Sequence, residues 1–379
     1  MKIISGGVTA PLGFKAHGIS CGIKRSGKLD LALIACDIPA TAAGVFTRNS
    51  IQAAPVLVTQ KKIRRKKAQA IVINSGNANC FTGDFGLLYA QKTARRIAQL
   101  LKISADNVLV ASTGIIGKML PYQKIEGAAD QLVSGLSRQN GRKAAQAILT
   151  TDTKVKEVAV ELRLGSRKVR IGACAKGSGM IQPNMATMLA FITSDAAIDA
   201  ARLKTALTRA VEPSFNSMTV DGCMSTNDMV LILSNGLAQN TTIKDQGRDF
   251  EVFLDALKYV SLDLAKKIVW DGEGATKFIE ITVAGAPSYV QAHQVALAVA
   301  NSNLVKTAAY GSNPNWGRIA AAVGSVGLPV TERRLKIRFS SFAHKHIKIW
   351  IDLCLGRDTA VVYTADLSEE YVRINGRYN

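Results

Sequence analysis

Short apolar runs rich in Val, Ile and Ala alternate along the chain with longer stretches in which apolar residues recur every three or four positions. The short runs predict strands over 33–36, 55–59, 70–74 and 108–112, then a hairpin of 157–164 and 168–174 turning at Gly165-Ser166. Later strands are predicted over 278–283, 336–340, 348–352 and 371–375. The helical period is clearest over 250–268, where Phe253, Leu257, Val260, Leu264 and Ile268 share one face. Helices are also predicted over 84–101, 200–211 and 287–301. Strands interleaved with helices in this way imply an α/β or α+β fold. No repeat, low-complexity tract or Pro/Ser linker interrupts the pattern, so any boundary between parts is tight.

Composition narrows this picture. At roughly 150 residues per domain, 379 residues imply two or three domains or one large α/β fold. Hydrophobic residues at 47% and charged residues at 20% exclude a disordered chain. No apolar run reaches the ~18 residues of a membrane span. The segment Met1-Lys2-Ile3-Ile4-Ser5-Gly6-Gly7 is too short to hold a signal-peptide core, so a cytoplasmic protein is expected. Six cysteines stand far apart without a C-x-x-C pair, which reads as reduced and mostly buried thiols.

Charge raises a separate question. The chain carries 48 lysines and arginines against 28 aspartates and glutamates, a formal net charge of +20. Its most basic run, Lys61-Lys62-Ile63-Arg64-Arg65-Lys66-Lys67, suits either a nucleic-acid patch or a solvated loop or edge between two strands. No aromatic residues interleave with it to stack bases, which favours the solvated edge.

Several motifs lead nowhere. Gly22–Leu29 nearly spells a phosphate-binding loop, but Leu29 stands where a hydroxyl must meet magnesium. Gly18-Ile19-Ser20-Cys21-Gly22 fits G-x-S-x-G, yet a turn follows it rather than the helix a nucleophile elbow requires. His344 and His346 would share one side of a strand, where an exposed face is a better reading than a metal site.

The segment that carries chemistry is Lys176-Gly177-Ser178-Gly179-Met180-Ile181-Gln182-Pro183-Asn184-Met185-Ala186-Thr187-Met188-Leu189-Ala190. Further motifs run in order along the chain: Gly44–Asn49, Asn74–Asn79, Ser112–Gly117, Thr150–Thr153, Val220-Asp221-Gly222 with Ser225–Asp228, Asp271–Lys277 and Pro314–Ile319. Together they resemble the ornithine acetyltransferases, the glutamate N-acetyltransferase family of arginine biosynthesis.

The resemblance implies stacked β-sheets between helices in a self-processing, N-terminal-nucleophile-like fold with a smaller C-terminal part. The precursor is expected to cut itself between Ala186 and Thr187. The products would be an α chain of residues 1–186 and a β chain of residues 187–379 that share one core. A threonine hydroxyl is a weak nucleophile without a base, and cleavage supplies one in the new α-amino group, whose reference pKa is about 8. By resemblance Thr113 (hydroxyl) and Gly114 (backbone N–H) form the oxyanion hole. Lys176 is expected to pair with a substrate α-carboxylate and Glu273 is a candidate partner for the cationic ornithine side chain; the resemblance further implies contacts from the Thr150-Thr151 pair, with which of the two points inward left open, and from Asn375.

The implied reaction moves an acetyl group from N-acetylornithine to glutamate through acetyl-Thr187. It needs no metal or organic cofactor, with acetyl-CoA a second donor in some relatives. Two α and two β chains are the expected assembly, and no membrane or specific nucleic-acid partner is expected. Family members carry a Thr or Ser five positions beyond the Asn375 equivalent. This chain ends at Asn379, so that contact is expected to be missing or supplied differently. Two alternatives stay open here: a related amidohydrolase or aminopeptidase in which water accepts the acyl group, and a basic nucleic-acid-binding protein.

Overall fold

The computed structural model describes residues 1–182 and 188–377. Among these, nine strands form one sheet: β1 (Lys2–Ile4), β2 (Phe14–Ile19), β3 (Leu31–Phe46), β4 (Lys67–Asn77), β5 (Val108–Ile115), β6 (Lys156–Leu164), β7 (Arg167–Lys176), β8 (Leu189–Ser194) and β9 (Met229–Ser234). Their order is β1-β6-β7-β8-β9-β3-β4-β5, with β2 paired to the first half of β3. β3 is the pivot. Leu31–Ala35 pair with β4, Thr41–Phe46 pair with β9, and the register shifts between Ala35 and Ala40. Such an irregularity bends a strand, and here it lets the two halves of the sheet face each other.

The side chains record that stacking. Ile34, Ile71, Ile73 and Leu109 from one half meet Leu189, Phe191 and Leu231 from the other in a buried layer. Their neighbours along each strand point the opposite way, as the period of two requires. Leu31, Leu33, Val72 and Val110 pack under α2 (Gly83–Leu101) and α3 (Tyr122–Ser134). Ile171, Ala190, Ile192, Val230 and Ile232 pack under α5 (Ala200–Val211) and α6 (Arg248–Trp270). The layers run helix, sheet, sheet, helix. On α6, Phe253, Leu257, Val260, Leu264 and Ile268 are all fully buried, the face that the periodicity predicts.

Residues before and after 183–187 are interleaved in this core. β7 pairs with β8 and β3 with β9, so segments from both sides of 183–187 contribute adjacent strands.

A second sheet, β10 (Phe278–Ala286), β11 (Lys336–Phe339), β12 (His346–Asp352) and β13 (Asp358–Ala365), is ordered β11-β12-β10-β13. It packs with α7 (Tyr289–Asn301), α8 (Asn303–Tyr310) and α9 (Trp316–Gly324) around its own apolar cluster, which is the smaller C-terminal part. α1 (Ala54–Ile63), α4 (Gly141–Ala147) and α10 (Glu369–Asn375) complete the helices among the described residues. None of these helices is long and apolar enough to cross a membrane.

Two predicted strands are helices. Residues 55–59 lie in α1, with Pro55 in its first turn, where the missing N–H costs nothing; a short apolar run does not distinguish helix from strand by period. Residues 371–375 lie in α10, whose start is marked by Ser368 capping the Tyr371 N–H and by Glu369 and Glu370 in the first turn. The basic run ends α1 and opens β4 rather than joining two strands. Lys62 tucks its ammonium against the carbonyls of Ala105 and Val108, and burial lowers its pKa to about 8. His346 lies in β12 but His344 precedes it, and no metal-ligating cluster is present among the described residues.

Candidate active site

The carboxyl ends of β5 and β7 open onto a cavity of about 120 Å³, large enough for a small organic molecule. Thr113, Gly114, Thr150, Thr151, Lys176, Glu273 and Asn375 all border it, although they come from points as far apart as β5 and α10. Met188 and Leu189 border it as well. Ala186 and Thr187 lie outside the described residues.

Thr113 and Gly114 sit where β5 runs parallel to β4 and the register shifts at Gly76 and Asn77. Gly114 has φ +134°, and a Cβ there would come within 2.3 Å of the Gly76 carbonyl carbon and 2.5 Å of the Asn77 nitrogen. Only glycine fits this backbone. The asparagine-rich motif holds the opposing wall: Asn74 accepts from the Ser112 hydroxyl at 2.6 Å and donates to the Asn77 carbonyl at 2.8 Å. From the segment just before β9, the Asn227 amide donates to the carbonyls of Ala78 and Ser112, tying the strand ends together.

Lys176 ends β7 and is 7% exposed. Its ammonium donates to the Thr150 hydroxyl at 2.8 Å and approaches the Thr113 hydroxyl at 3.4 Å. A hydroxyl that accepts from an ammonium keeps its own proton free to donate elsewhere. Burial lowers the Lys176 pKa, with Asp152 opposing the shift. Lys24, from the glycine-rich turn, steadies the loop from behind by donating to the Leu149 carbonyl, one residue before Thr150.

Beneath these residues lies a buried ion network with no assigned role in the sequence reading. Asp152 accepts from the N–H groups of Thr150 and Gly177 and from Lys156, and lies 3.8 Å from Lys176. Lys156 also donates to Asp271 at 2.5 Å. Asp271 receives the Thr153 and Lys154 N–H groups as well. Burial pushes the Asp152 carboxyl up, but Lys176 and Lys156 outweigh it and hold it well below the usual carboxylate range.

This network fixes three site segments at once, so Lys156→Met is expected to cost about 3–5 kcal/mol, the typical loss on stranding buried charges. Urea unfolding measures it. Because Asp152's folded-state pKa is depressed, its contribution is present above the unfolded value of about 4 and fades as pH falls through the folded one. The gap between wild type and variant should therefore be widest near pH 7 and narrow toward pH 3.

Glu273 closes the far side. Its N–H donates to the Ser178 carbonyl, and its carboxylate accepts from the Asn375 amide at 2.8 Å. A Cβ on Gly179 would lie 2.3 Å from that carboxylate, so the glycine lets Glu273 approach the loop. Asp221 supports the same region, receiving the Met180 and Ile181 N–H groups and the Tyr371 hydroxyl, which anchors α10 and thus Asn375.

A family model matches residues 15–379 and is that of the ArgJ family. The chain belongs to the ArgJ family. It is 46% identical over 395 residues to the arginine biosynthesis bifunctional protein ArgJ of Oceanobacillus iheyensis, covering 99% of this chain and 96% of the relative. The ArgJ protein of Symbiobacterium thermophilum is 45% identical with complete coverage of both. Among solved structures, an ornithine acetyltransferase complexed with ornithine from Mycobacterium tuberculosis is 41% identical, with a TM-score of 0.46, covering 48% of this chain and 98% of its own.

Within this ArgJ chain, sequence reading missed the supporting contacts of Asp152, Asp221, Asn227 and Asp271. Each lies inside a motif quoted above. The signal was an acidic or amide residue beside glycine or threonine, where side chains organise turns, but the partners lie far away in sequence.

Proposed function

We propose that the chain is an acetyltransferase of arginine biosynthesis that carries an acetyl group from N-acetylornithine to glutamate through acetyl-Thr187. The observation that carries this reading is the meeting of Thr113, Gly114, Thr150, Lys176, Glu273 and Asn375 around one small cavity in an ArgJ-family chain. Cleavage before Thr187 frees an α-amino group whose reference pKa, about 8, suits a base near neutral pH. The hydroxyl of Thr187 attacks the acetyl carbon. The Thr113 hydroxyl, polarised by Lys176, and the Gly114 N–H receive the charge that develops on oxygen.

A buried lysine beside two threonines offers the α-carboxylate of either substrate a counter-charge, and Glu273 offers one to the ornithine side chain. After ornithine leaves, glutamate collects the acetyl group. The scheme draws on side chains and the new amine alone, with no metal or organic cofactor, and acetyl-CoA is a second candidate donor. We expect two α and two β chains per assembly, acting in the cytoplasm. Free cysteines throughout the described residues fit a reducing compartment.

Intact mass spectrometry tests the core of this reading. Purified protein should separate on denaturation into residues 1–186 and 187–379. The second chain should gain one acetyl group from N-acetylornithine and lose it when glutamate is added. An acetyl group lost at the same rate without glutamate would make the protein a hydrolase. A whole chain that never gains the group would overturn the mechanism.

A further inference from the structure

We propose that Asp228 is the acid–base group for the substrate amine, supplying the proton with which ornithine leaves and receiving one from glutamate before it attacks. This rests on the acetyl-transfer reading above and adds a residue to it. Asp228 stands immediately before β9 and is 2% exposed, yet it borders the same cavity as Thr113, Gly114 and Lys176. Its Oδ2 is buried and has no hydrogen-bond partner among the described residues. Such an atom forgoes water without repayment from the protein, an arrangement that calls for an explanation. A ligand group in the bordering cavity supplies one.

The surroundings fit a carboxyl that holds its proton. Burial raises the Asp228 pKa well above the carboxylate range, while Ser225, the Met188 N–H and the Lys176 ammonium oppose the shift. Among the described residues, Lys176 on β7 is the charged group whose field acts on it.

The chemistry of the reaction needs such a group. When the acetamide C–N bond breaks, its electron pair stays on nitrogen, and an unprotonated amide nitrogen is a very poor leaving group. Asp228 gives its proton to that nitrogen and becomes a carboxylate. The ornithine amine then takes up the proton that Thr187 surrendered to the α-amino group and departs as an ammonium. Glutamate arrives as an ammonium and returns one proton to Asp228. Its nitrogen forms the new C–N bond and passes its excess proton through the α-amino group to the departing Thr187 oxygen. Both carboxyl and hydroxyl are restored, so protons and electrons balance over the cycle.

An acetyl donor whose leaving group needs no proton isolates this role. The matured Asp228→Asn protein is treated with N-acetylornithine or with p-nitrophenyl acetate, and acetylation of the 187–379 chain is timed by mass spectrometry. Acetylation by the amide is expected to slow about 100-fold or more, the usual scale of general acid catalysis. Acetylation by the ester should stay within about threefold.

Wild-type protein provides a second reading should the variant fold poorly. Its rate with the amide should fall at alkaline pH as the acid loses its proton, and its rate with the ester should not. Equal slowing of both donors in the variant, or matching alkaline limbs in the wild type, would overturn the proposal. Wild-type protein that takes no acetyl group from N-acetylornithine would instead sink the acetyl-transfer reading itself.

Discussion

A Thr187→Ala protein is expected to remain one uncut chain of 379 residues and to transfer no measurable acetyl group. Two functions meet in one side chain. In the proposed scheme the hydroxyl attacks the preceding peptide bond, and after cleavage the same hydroxyl attacks substrate while the new amine takes its proton. Alanine removes the attacking atom in both steps. Because the base exists only after cleavage, nothing replaces it, and the loss should reach at least ~10⁴-fold, the scale on which nucleophile deletions act. Thr187→Ser provides the control: it keeps the hydroxyl, so it should still cut and should retain a measurable fraction of transfer. A Thr187→Ala protein that is cut and active would remove the nucleophile from this position. The fold would then need another hydroxyl at the cavity, and among the described residues Thr113, Thr150, Thr151 and Ser225 border it.

The sequence and the structure agree where local pattern is enough. β4, β5, the β6–β7 hairpin, β10 and α6 each carry a period that one face or two faces of a core impose, and each appears where it is predicted. The pattern could not reveal that β3 bends between Ala35 and Ala40 and folds the sheet over itself, because that bend depends on which partners the two halves meet. β8 and β9 are buried on both faces, so their runs lack alternation. The candidate site residues came from the resemblance, and the side chains that support them did not. Asp152 and Asp271 hold Lys156 between them from 119 residues apart, and no spacing rule connects such positions.

The charge also reads differently once the chain is folded. Several lysines counted in the +20 balance are internal cations. Lys156 is 1% exposed, Lys306 donates to the Thr364 hydroxyl, and Lys277 holds the Phe342 carbonyl. These side chains satisfy carbonyls and carboxylates at the ends of strands, where a long stem and a compact ammonium reach polar atoms that packed apolar layers leave behind. Part of the basic excess is therefore architecture. It gives no support to a nucleic-acid partner, which would need those charges at the surface.

Gly114→Ala should reduce kcat about 10²–10³-fold, the range seen when one oxyanion donor is lost. The argument is geometric. A backbone at φ +134° is one that L side chains rarely adopt, and the added methyl would lie inside contact distance of three backbone atoms of Gly76 and Asn77. No rotamer relieves this, because a methyl has none and the atoms it meets cannot swing aside. The ends of β4 and β5 must separate, or the 113–115 peptide must turn. Either change re-aims the Gly114 N–H and the Thr113 hydroxyl, which Lys176 otherwise holds in place. KM should move only a few-fold, because Lys176, Thr150 and Glu273 are anchored by the Asp152–Lys156–Asp271 network and not by Gly114. Steady-state kinetics on the matured fraction of the variant separates the two parameters. A large rise in KM with kcat unchanged would place Gly114 in substrate binding and remove it from stabilising the oxyanion.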